Sequence, residues 1–485
     1  MGILQQVQSL TGRERLLIVF LLLTLPFANP WVRGDGVGYY AYLRSLLIDG
    51  DLHFENEWLA ANPGFLQNRL DASGRLLPEN YTATGFVHNH FTVGPALLWA
   101  PFVVPVHAGV LAANELGFHV PADGYSRPYL WTMALSTALY GFLGLWLAFR
   151  VARHYVDERW ALAGAAGVWL GSSLPVYMYF NPSWSHAHSA FSVALFVWYW
   201  HRTRDSRTPL QWMALGLLGG LMVNVYYVNG LVMLIPLLEL LSAYARYLRE
   251  SPARWGTAAG LLAANVMFLA ALLAALAPTF YTRGVIYGHP LGTGYASFDA
   301  WNWTAPVILA VLFSSLHGLF SWTPVVLLSV LGLGWLRRAD AALAAGFLVV
   351  FLAFLYVIAS YPTWHGISSY GNRFFVSLTP VFVIGLAVFL ERAAQAMGNG
   401  RWARLAVNGG LALLVLWNAG LVFQWGTRMI PAREAVSWRE VARNQFTEVP
   451  ARVLQAGRRY LLERGALMRH IEEKDAVNPP GRSEP

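Results

Sequence analysis

Apolar runs long enough to cross a bilayer recur along this whole chain, separated by short loops that carry arginine. Roughly 17–25 apolar residues match the thickness of the hydrocarbon layer, so each run reads as a transmembrane helix. The 485 residues are 56% hydrophobic and 12% charged, about half the charged share of roughly 25% in a soluble domain. The fold class expected is an all-α polytopic membrane protein. Its spans fall near 16–26, 129–149, 160–179, 188–201, 210–225, 230–247, 256–277, 322–336, 342–360, 374–390 and 404–424, about eleven. Most runs carry Gly, Ala and Ser, which let helices approach closely in lipid. Many of the 21 Trp and 22 Tyr lie at run ends, where an aromatic belt forms.

The arginines orient the runs. Arg13 and Arg15 precede the first run, which places the N-terminus in the cytoplasm. No small-residue cleavage site follows, so this run reads as an anchor and not a signal peptide. Arginine loops then recur at Arg150–Arg159, Arg202–Arg207, Arg246–Arg254, Arg337–Arg338 and Arg392–Arg404, all assigned to the cytoplasm. An odd number of crossings must therefore separate the first run's outer end from Arg150. Two apolar stretches compete for it. Val93–Ala113 contains Pro95, Pro101 and Pro105, poor material for a spanning helix, so it reads as a juxtamembrane or re-entrant segment. The outer segments become 33–128, 180–187, 226–229, 278–321 and 361–373. In 278–321, Pro306–Phe320 is apolar but too irregular to span. Residues 1–425 form one membrane domain. The polar tail, 426–485, follows on the outer side, helical from about Ala451 to Ile471 and ending in a disordered Pro-rich piece.

Other classes fall away. With no Cys, disulfide, iron–sulfur and thiolate-zinc chemistry is excluded. The net charge of +8 is arginine scattered between spans, not one basic stripe, so nucleic acid is not a partner.

This topology gathers polar residues on the outer side from loops far apart in sequence. Asp35, Asp49, Asp51, Glu55, Glu57, His88 and His90 lie in the first loop. Asn181, Ser185, His186 and His188 follow the third span. Arg283, Tyr287, His289 and Tyr295 come from the long middle loop, and His365, Tyr370, Asn372 and Arg373 from the last. Convergence of acid, imidazole and guanidinium on one face is the layout of a site. The run Tyr39–Ile48 places Tyr39, Leu43, Leu46 and Leu47 on one helical face with Arg44 off it, which suits a helix lying in the membrane interface.

These residues resemble a family. Asp35 after the first span, then Tyr39 or Tyr40, Arg44 and Gly50-Asp51 form one part of the pattern. The others are His90-Phe91-Thr92-Val93-Gly94-Pro95, Asn181-Pro182 with Ser185-His186-Ala187-His188, and Tyr370-Gly371-Asn372-Arg373-Phe374. Their order is similar to that of the GT-C integral membrane glycosyltransferases, in particular bacterial relatives of protein O-mannosyltransferases and lipid A aminoarabinose transferase. The resemblance covers residues 13 to about 390. It implies transfer of a sugar from a polyprenyl-phosphate donor, with inversion, at the periplasmic face of the inner membrane; the acceptor is a lipid, glycan or protein. Two departures stand out. Mannosyltransferase relatives usually follow the first-loop Asp with Glu, where Gly36 stands here. Many relatives also carry an acid where this chain has Asn181.

Such a transfer needs a base for the acceptor hydroxyl, and positive charge or donors for the departing phosphate. Asp35 is the candidate base and Arg373 the candidate phosphate clamp, since guanidinium can hold phosphate oxygens bidentately. His186 and His188 are candidates to hold the phosphate or sugar. Tyr39, Tyr40 and Trp184 offer flat faces. The remaining substrate-binding candidates are Arg44, His88, His90, Asn181 and Tyr370. Each has a plainer rival: helix capping for Asp35, headgroup anchoring for Arg373, turn hydrogen bonds for the histidines, a solvated face for Glu55 and Glu57. No cofactor is expected. A divalent metal on His88-x-His90 and His186-x-His188 is the minor alternative, short of a third imidazole or a carboxylate. Glu239 is expected to pair with Arg246 or snorkel. The competing functions are a polymerase or ligase of polyprenyl-diphosphate glycans, and a secondary transporter. A transporter calls for polar midplane groups and paired broken helices.

Overall fold

The computed structural model describes residues 10–249, 255–295 and 297–477. Part of the arginine loop 246–254 and the Pro-rich end of the tail lie outside them. The described residues form twenty α-helices and, apart from two isolated β-bridges, no strand. The order begins α1 (Gly12–Thr24), α2 (Asp35–Arg44), α3 (Glu55–Leu59), α4 (Pro63–Leu66), α5 (Gly94–Glu115), α6 (Arg127–Ala152) and α7 (Glu158–Gly171). It continues with α8 (His186–Thr203), α9 (Pro209–Val225), α10 (Leu234–Arg249), α11 (Trp255–Ala275), α12 (Ala277–Tyr287), α13 (Ile308–Phe313) and α14 (Leu319–Trp322). Then come α15 (Pro324–Leu336), α16 (Ala341–Ser360), α17 (Thr379–Ala396), α18 (Arg401–Gly426), α19 (Trp438–Leu462) and α20 (Arg464–Val477).

Among the described residues, six helices are long and apolar enough to cross a membrane: Gly94–Glu115, Arg127–Ala152, Tyr227–Arg246, Ala341–Ser360, Arg373–Ala396 and Arg401–Gly426. The pair Ala259–Ala275 and Ala277–Tyr287, bent by 45°, makes a seventh if it acts as one. The eleven expected runs are therefore not eleven full-length spans. Helices α1, α7, α9 and α15 have only 13, 14, 17 and 13 residues. Several apolar runs end instead in tighter or wider turns, such as Leu25–Phe27 after α1 and Val176–Phe180 before α8. Small residues set the packing. A Cβ on Gly332 of α15 would lie 1.8 Å from the Gly385 carbonyl oxygen of α17, so those backbones meet directly.

Several of the arginine segments meet at one end. Thr11 caps α1 reciprocally with Glu14, and buried Glu14 also accepts from Trp146 at 3.2 Å. Arg13 pairs with Glu158 at 3.0 Å. Asp340, before α16, takes Arg204 at 2.5 Å and the Tyr155 hydroxyl at 2.9 Å. Glu239 pairs with Arg207 at 3.3 Å and accepts from Trp200 at 2.6 Å, in place of the expected snorkelling or pairing with Arg246. Segments 13–15, 150–159, 202–207 and 340 thus share one end of the bundle. Asp35, Trp184 and Arg373 share the other.

At that other end the first loop builds a second core, from Tyr40, Tyr42, Phe54, Trp58, Trp99 and Tyr129 among others. Two expectations change here. Val93–Ala113 is one continuous helix, α5, despite its prolines: Pro95 occupies the first turn, where an N–H is dispensable, and Pro101 and Pro105 lie inside without ending it. It runs against the half of α6 remote from the arginines. Trp99 donates to Thr137 at 2.8 Å, Tyr140 to the Leu98 carbonyl at 3.0 Å, and His107 meets Tyr129 at 2.7 Å. The second change is α2, which is not an interfacial helix. Gly36 through Leu43 are all buried, because Gly36 and Gly38 admit Ser183 and Phe91 against its backbone.

The tail is helical from Trp438, earlier in the chain than expected, and breaks at Glu463 between α19 and α20. It folds back over the turn that follows α1. Tyr460 donates to the Phe27 carbonyl at 2.8 Å and Arg464 to the Pro26 carbonyl at 2.6 Å.

Candidate active site

A chamber of about 2020 Å³ opens at this end. Its walls come from the turn after α1, the start of α2, the 181–186 turn, residues 226–228, the loop 293–301, the segment 361–374 and the tail helices.

Asp35 enters it through backbone geometry. Gly34 has φ of +52°, a conformation open mainly to glycine, and a Cβ there would press on the Trp184 ring at 3.0 Å. Asp35 is then the first residue of α2. Its side chain makes no capping bond, and the N-cap position belongs to Gly34. The carboxylate instead meets Arg373, Oδ2 to Nη2, at 2.7 Å. Arg373 follows Gly371, also at positive φ (+55°), and starts the 3₁₀ turn leading into α17. Its guanidinium lies over the Trp184 ring at 4.3 Å. The Trp184 indole donates to the Arg33 carbonyl at 2.9 Å. One tryptophan therefore braces both the turn that carries the acid and the arginine it pairs with.

The side chain of Arg373 is 9% exposed, yet Nε and Nη1 have no hydrogen-bond partner among the described residues. Ser183 Oγ, His186 Nδ1 and Asn372 Oδ1 are likewise buried without partners. Buried polar groups are normally satisfied, and an unpaired one costs about 1–3 kcal/mol. Arg283, the other buried guanidinium at this end, is the contrast. It donates to the Tyr227 hydroxyl at 2.8 Å, the Asn89 carbonyl at 2.6 Å and the carbonyls of His90 and Phe91. Its donors are spent on holding the 89–91 segment. Arg373 keeps two donors for something else.

Of the sequence candidates, Asp35, Tyr39, His90, Asn181, His186 and Arg373 line the chamber. Tyr39 is one turn after Asp35, against Phe91 at 4.9 Å. His90 is wedged between Phe91 and Tyr295, and burial pushes its pKa down to about 3. His186 packs edge-on against Tyr177 at 4.6 Å.

The other five do not line it. Tyr40 points to the opposite side of α2 and donates to the Gly124 carbonyl at 2.6 Å. Arg44 lies at the far end of α2, pairing with Asp49 and, at 2.8 Å, with Glu57. His88 packs behind His90, against Tyr287. His188 is on the reverse face of α8 from His186, between Trp99 and Tyr140. Tyr370 is fully buried and donates to Asn418 at 2.7 Å. These residues build the walls behind the site. The described residues hold no group of three His, Cys, Asp or Glu placed to bind a metal ion.

Three contributors were not singled out from sequence. Arg69, from the first loop, lines the chamber within electrostatic reach of Asp35; burial lowers its pKa and the Asp35 charge raises it. Phe298 and Trp301 also line it, with Trp303 stacked behind Trp301 at 5.2 Å, planes 6° apart, and Trp301 meets Tyr361 at 4.8 Å. Three aromatic residues within six positions was the available signal. The tail supplies Tyr460, Met468 and Lys474, for which the sequence offered none.

Gly36 now has a physical reason. A Cβ there would lie 1.9 Å from Ser183 Oγ. A second acid beside Asp35 has no room while α2 packs on the 181–186 turn.

No protein-family model matches the chain, and no curated protein does. Among solved structures it is similar to the crystal structure of ArnT from Cupriavidus metallidurans in the apo state. The identity is 14% and the TM-score 0.45, over 90% of this chain and 74% of that one. So distant a likeness leaves the chemistry to be read from the site itself.

Proposed function

We propose that the protein is a membrane glycosyltransferase that moves a sugar from a polyprenyl-phosphate donor to an acceptor hydroxyl. One observation carries the reading: buried Arg373 holds Asp35 at 2.7 Å while two of its nitrogens, Nε and Nη1, have no acceptor among the described residues. A phosphate oxygen would accept from those nitrogens in charge-assisted hydrogen bonds. Negative charge grows on the leaving phosphate as the glycosidic bond breaks, so donors already in place favour the transition state over the ground state. Asp35 removes the acceptor proton as the hydroxyl attacks. A single displacement, with base and leaving phosphate on opposite faces of the sugar, inverts the anomeric carbon. Trp301 and Tyr361, which line the chamber, offer flat surfaces for a sugar ring. Apolar Phe27, Phe180, Val422 and Phe423, also lining the chamber, suit a prenyl chain.

In this reading the site faces the periplasm, with the arginine loops in the cytoplasm. The test is transfer by the purified protein in bilayers from defined polyprenyl-phosphate sugars, followed by mass spectrometry. Wild-type protein is expected to consume donor and release prenyl phosphate. Donor binding that is unchanged in Arg373→Met would overturn the clamp.

A further inference from the structure

The tail helix α19 has a stripe of uncovered apolar residues. Phe446, Leu454 and Leu461 are 77%, 84% and 49% exposed. With Pro450 they recur at i, i+4, i+8 and i+15, one face of a helix. Arg443, one turn before Phe446 on the same face, and Arg458, at its edge, are both exposed.

The place of α19 says what covers the stripe. Gln445 donates to the Leu416 and Trp417 carbonyls of α18, at 3.2 and 3.4 Å. Gln424 of α18 donates to the Val441 carbonyl and to Gln445. These bonds fix the start of α19 against the last three turns of a 26-residue apolar helix long enough to span a bilayer. Next to them, Leu413 and Leu416 of α18 are 69% and 64% exposed, a surface that lipid covers in a spanning helix. Phe446 follows Gln445 directly, so the apolar stripe of α19 begins where the lipid-facing flank of α18 ends. The adjoining side of α19, about 100° round from the middle of the stripe, presents Ala456 and Tyr460 to the chamber.

We infer that α19 is a membrane-surface helix, its Phe446–Leu461 stripe seated in the acyl boundary and its arginines among acidic phospholipid headgroups. Apolar residues on one side and arginine beside them is the composition such helices use. Each arginine near an acidic surface adds about fivefold to association. The wall of the chamber is then partly a lipid-bound element, whatever reaction the chamber carries out.

The chain has no native cysteine, which permits single-site labelling of the full-length protein. Bimane is placed in turn at Leu454→Cys and Arg452→Cys, positions roughly 160° apart around the helix, in nanodiscs containing brominated lipid. Strong quenching at 454 and little at 452 is expected. At equal mole fraction, brominated acidic lipid should quench 454 more than brominated zwitterionic lipid. Arg443→Gln with Arg458→Gln should cut that preference by about twenty-fivefold. Two results would overturn the inference: quenching of 454 by aqueous iodide with none by brominated lipid, or protection of 454 from both, which marks a second copy or another protein on the stripe. Equal quenching by acidic and zwitterionic lipid would remove the headgroup assignment.

Discussion

Replacing Asp35 by Asn separates the stability of the Asp35–Arg373 pair from its chemistry. The oxygen and nitrogen are 2.7 Å apart, and the side chains are 30% and 9% exposed. With charge centres about 4 Å apart and an effective permittivity of about 20, the attraction is ~4 kcal/mol before desolvation. Desolvation removes much of this, leaving a coupling of about 2 kcal/mol. Asp35→Asn alone strands a buried cation that already lacks two acceptors, and should cost about 2–4 kcal/mol. Arg373→Met leaves the more exposed partner and should cost less. The double variant should recover about 2 kcal/mol over the sum of the singles, since a neutral, well-filled replacement of a buried pair is often close to harmless. Activity should not recover. Loss of the base lowers kcat by about 10²–10⁴, loss of the phosphate donors by about 10²–10³, and the double variant stays at the floor. The assays are equilibrium unfolding in mixed micelles and single-turnover sugar transfer. A coupling below about 0.5 kcal/mol would refute the pair, and Asp35→Asn with turnover within tenfold of wild type would refute the base.

Three further substitutions probe the surroundings. Trp184→Leu removes the face under Arg373 and the donor to the Arg33 carbonyl; each contributes about 1 kcal/mol, so donor KM should rise about tenfold or more in initial-rate measurements, and an unchanged KM would deny Trp184 its positioning role. Glu57 has a fully buried side chain, and burial raises its pKa from 4.5 to about 7 against the pull of Arg44. The folded state therefore holds this proton more tightly than the unfolded chain. The resulting stabilisation is complete below pH 4.5 and is lost as pH rises through 7, by up to about 3 kcal/mol; Glu57→Gln should flatten that part of the pH–stability curve. Tyr370→Phe deletes the hydroxyl bonded to Asn418, and should cost about 1 kcal/mol of stability with sugar transfer within twofold of wild type.

Helix phase explains which site residues were legible. Once Asp35 starts α2, Tyr39 lies four residues on and returns to its face, whereas Tyr40 is a further 100° round and Arg44, nine residues on, is on the opposite side. The same arithmetic separates His186 from His188. That information was in the sequence, but only after the helix start was known, and the reading of Tyr39–Ile48 as a surface helix concealed it. The prolines of Val93–Ala113 misled differently. Proline weakens a helix in water, but a helix packed along its length on α6 keeps its course through Pro101 and Pro105. Arginine placement was legible because charge sorting acts through composition alone, and segments 13–15, 150–159 and 202–207 do meet at one end. The ion pair between Asp35 and Arg373, 338 positions apart, belongs to tertiary structure and had no local signal.

That pairing bears on how a base and an anion clamp can coexist so close together. A carboxylate oxygen bonded to guanidinium is not free to meet a hydroxyl, and a guanidinium spent on carboxylate is a weak phosphate ligand. The free donors of Arg373 ease the conflict: a phosphate can bind through them before Asp35 lets go. In the proposed reaction the arginine's charge is then shared between two anions and its hold on Asp35 weakens, which frees the carboxylate for the acceptor hydroxyl in the same event that brings the leaving group. Arg283, with its donors committed to carbonyls, is fixed in one role. The incompletely satisfied arginine is the one able to exchange partners, which is why the unfilled donors, more than the salt bridge itself, carry the proposal that this chamber takes an anionic substrate.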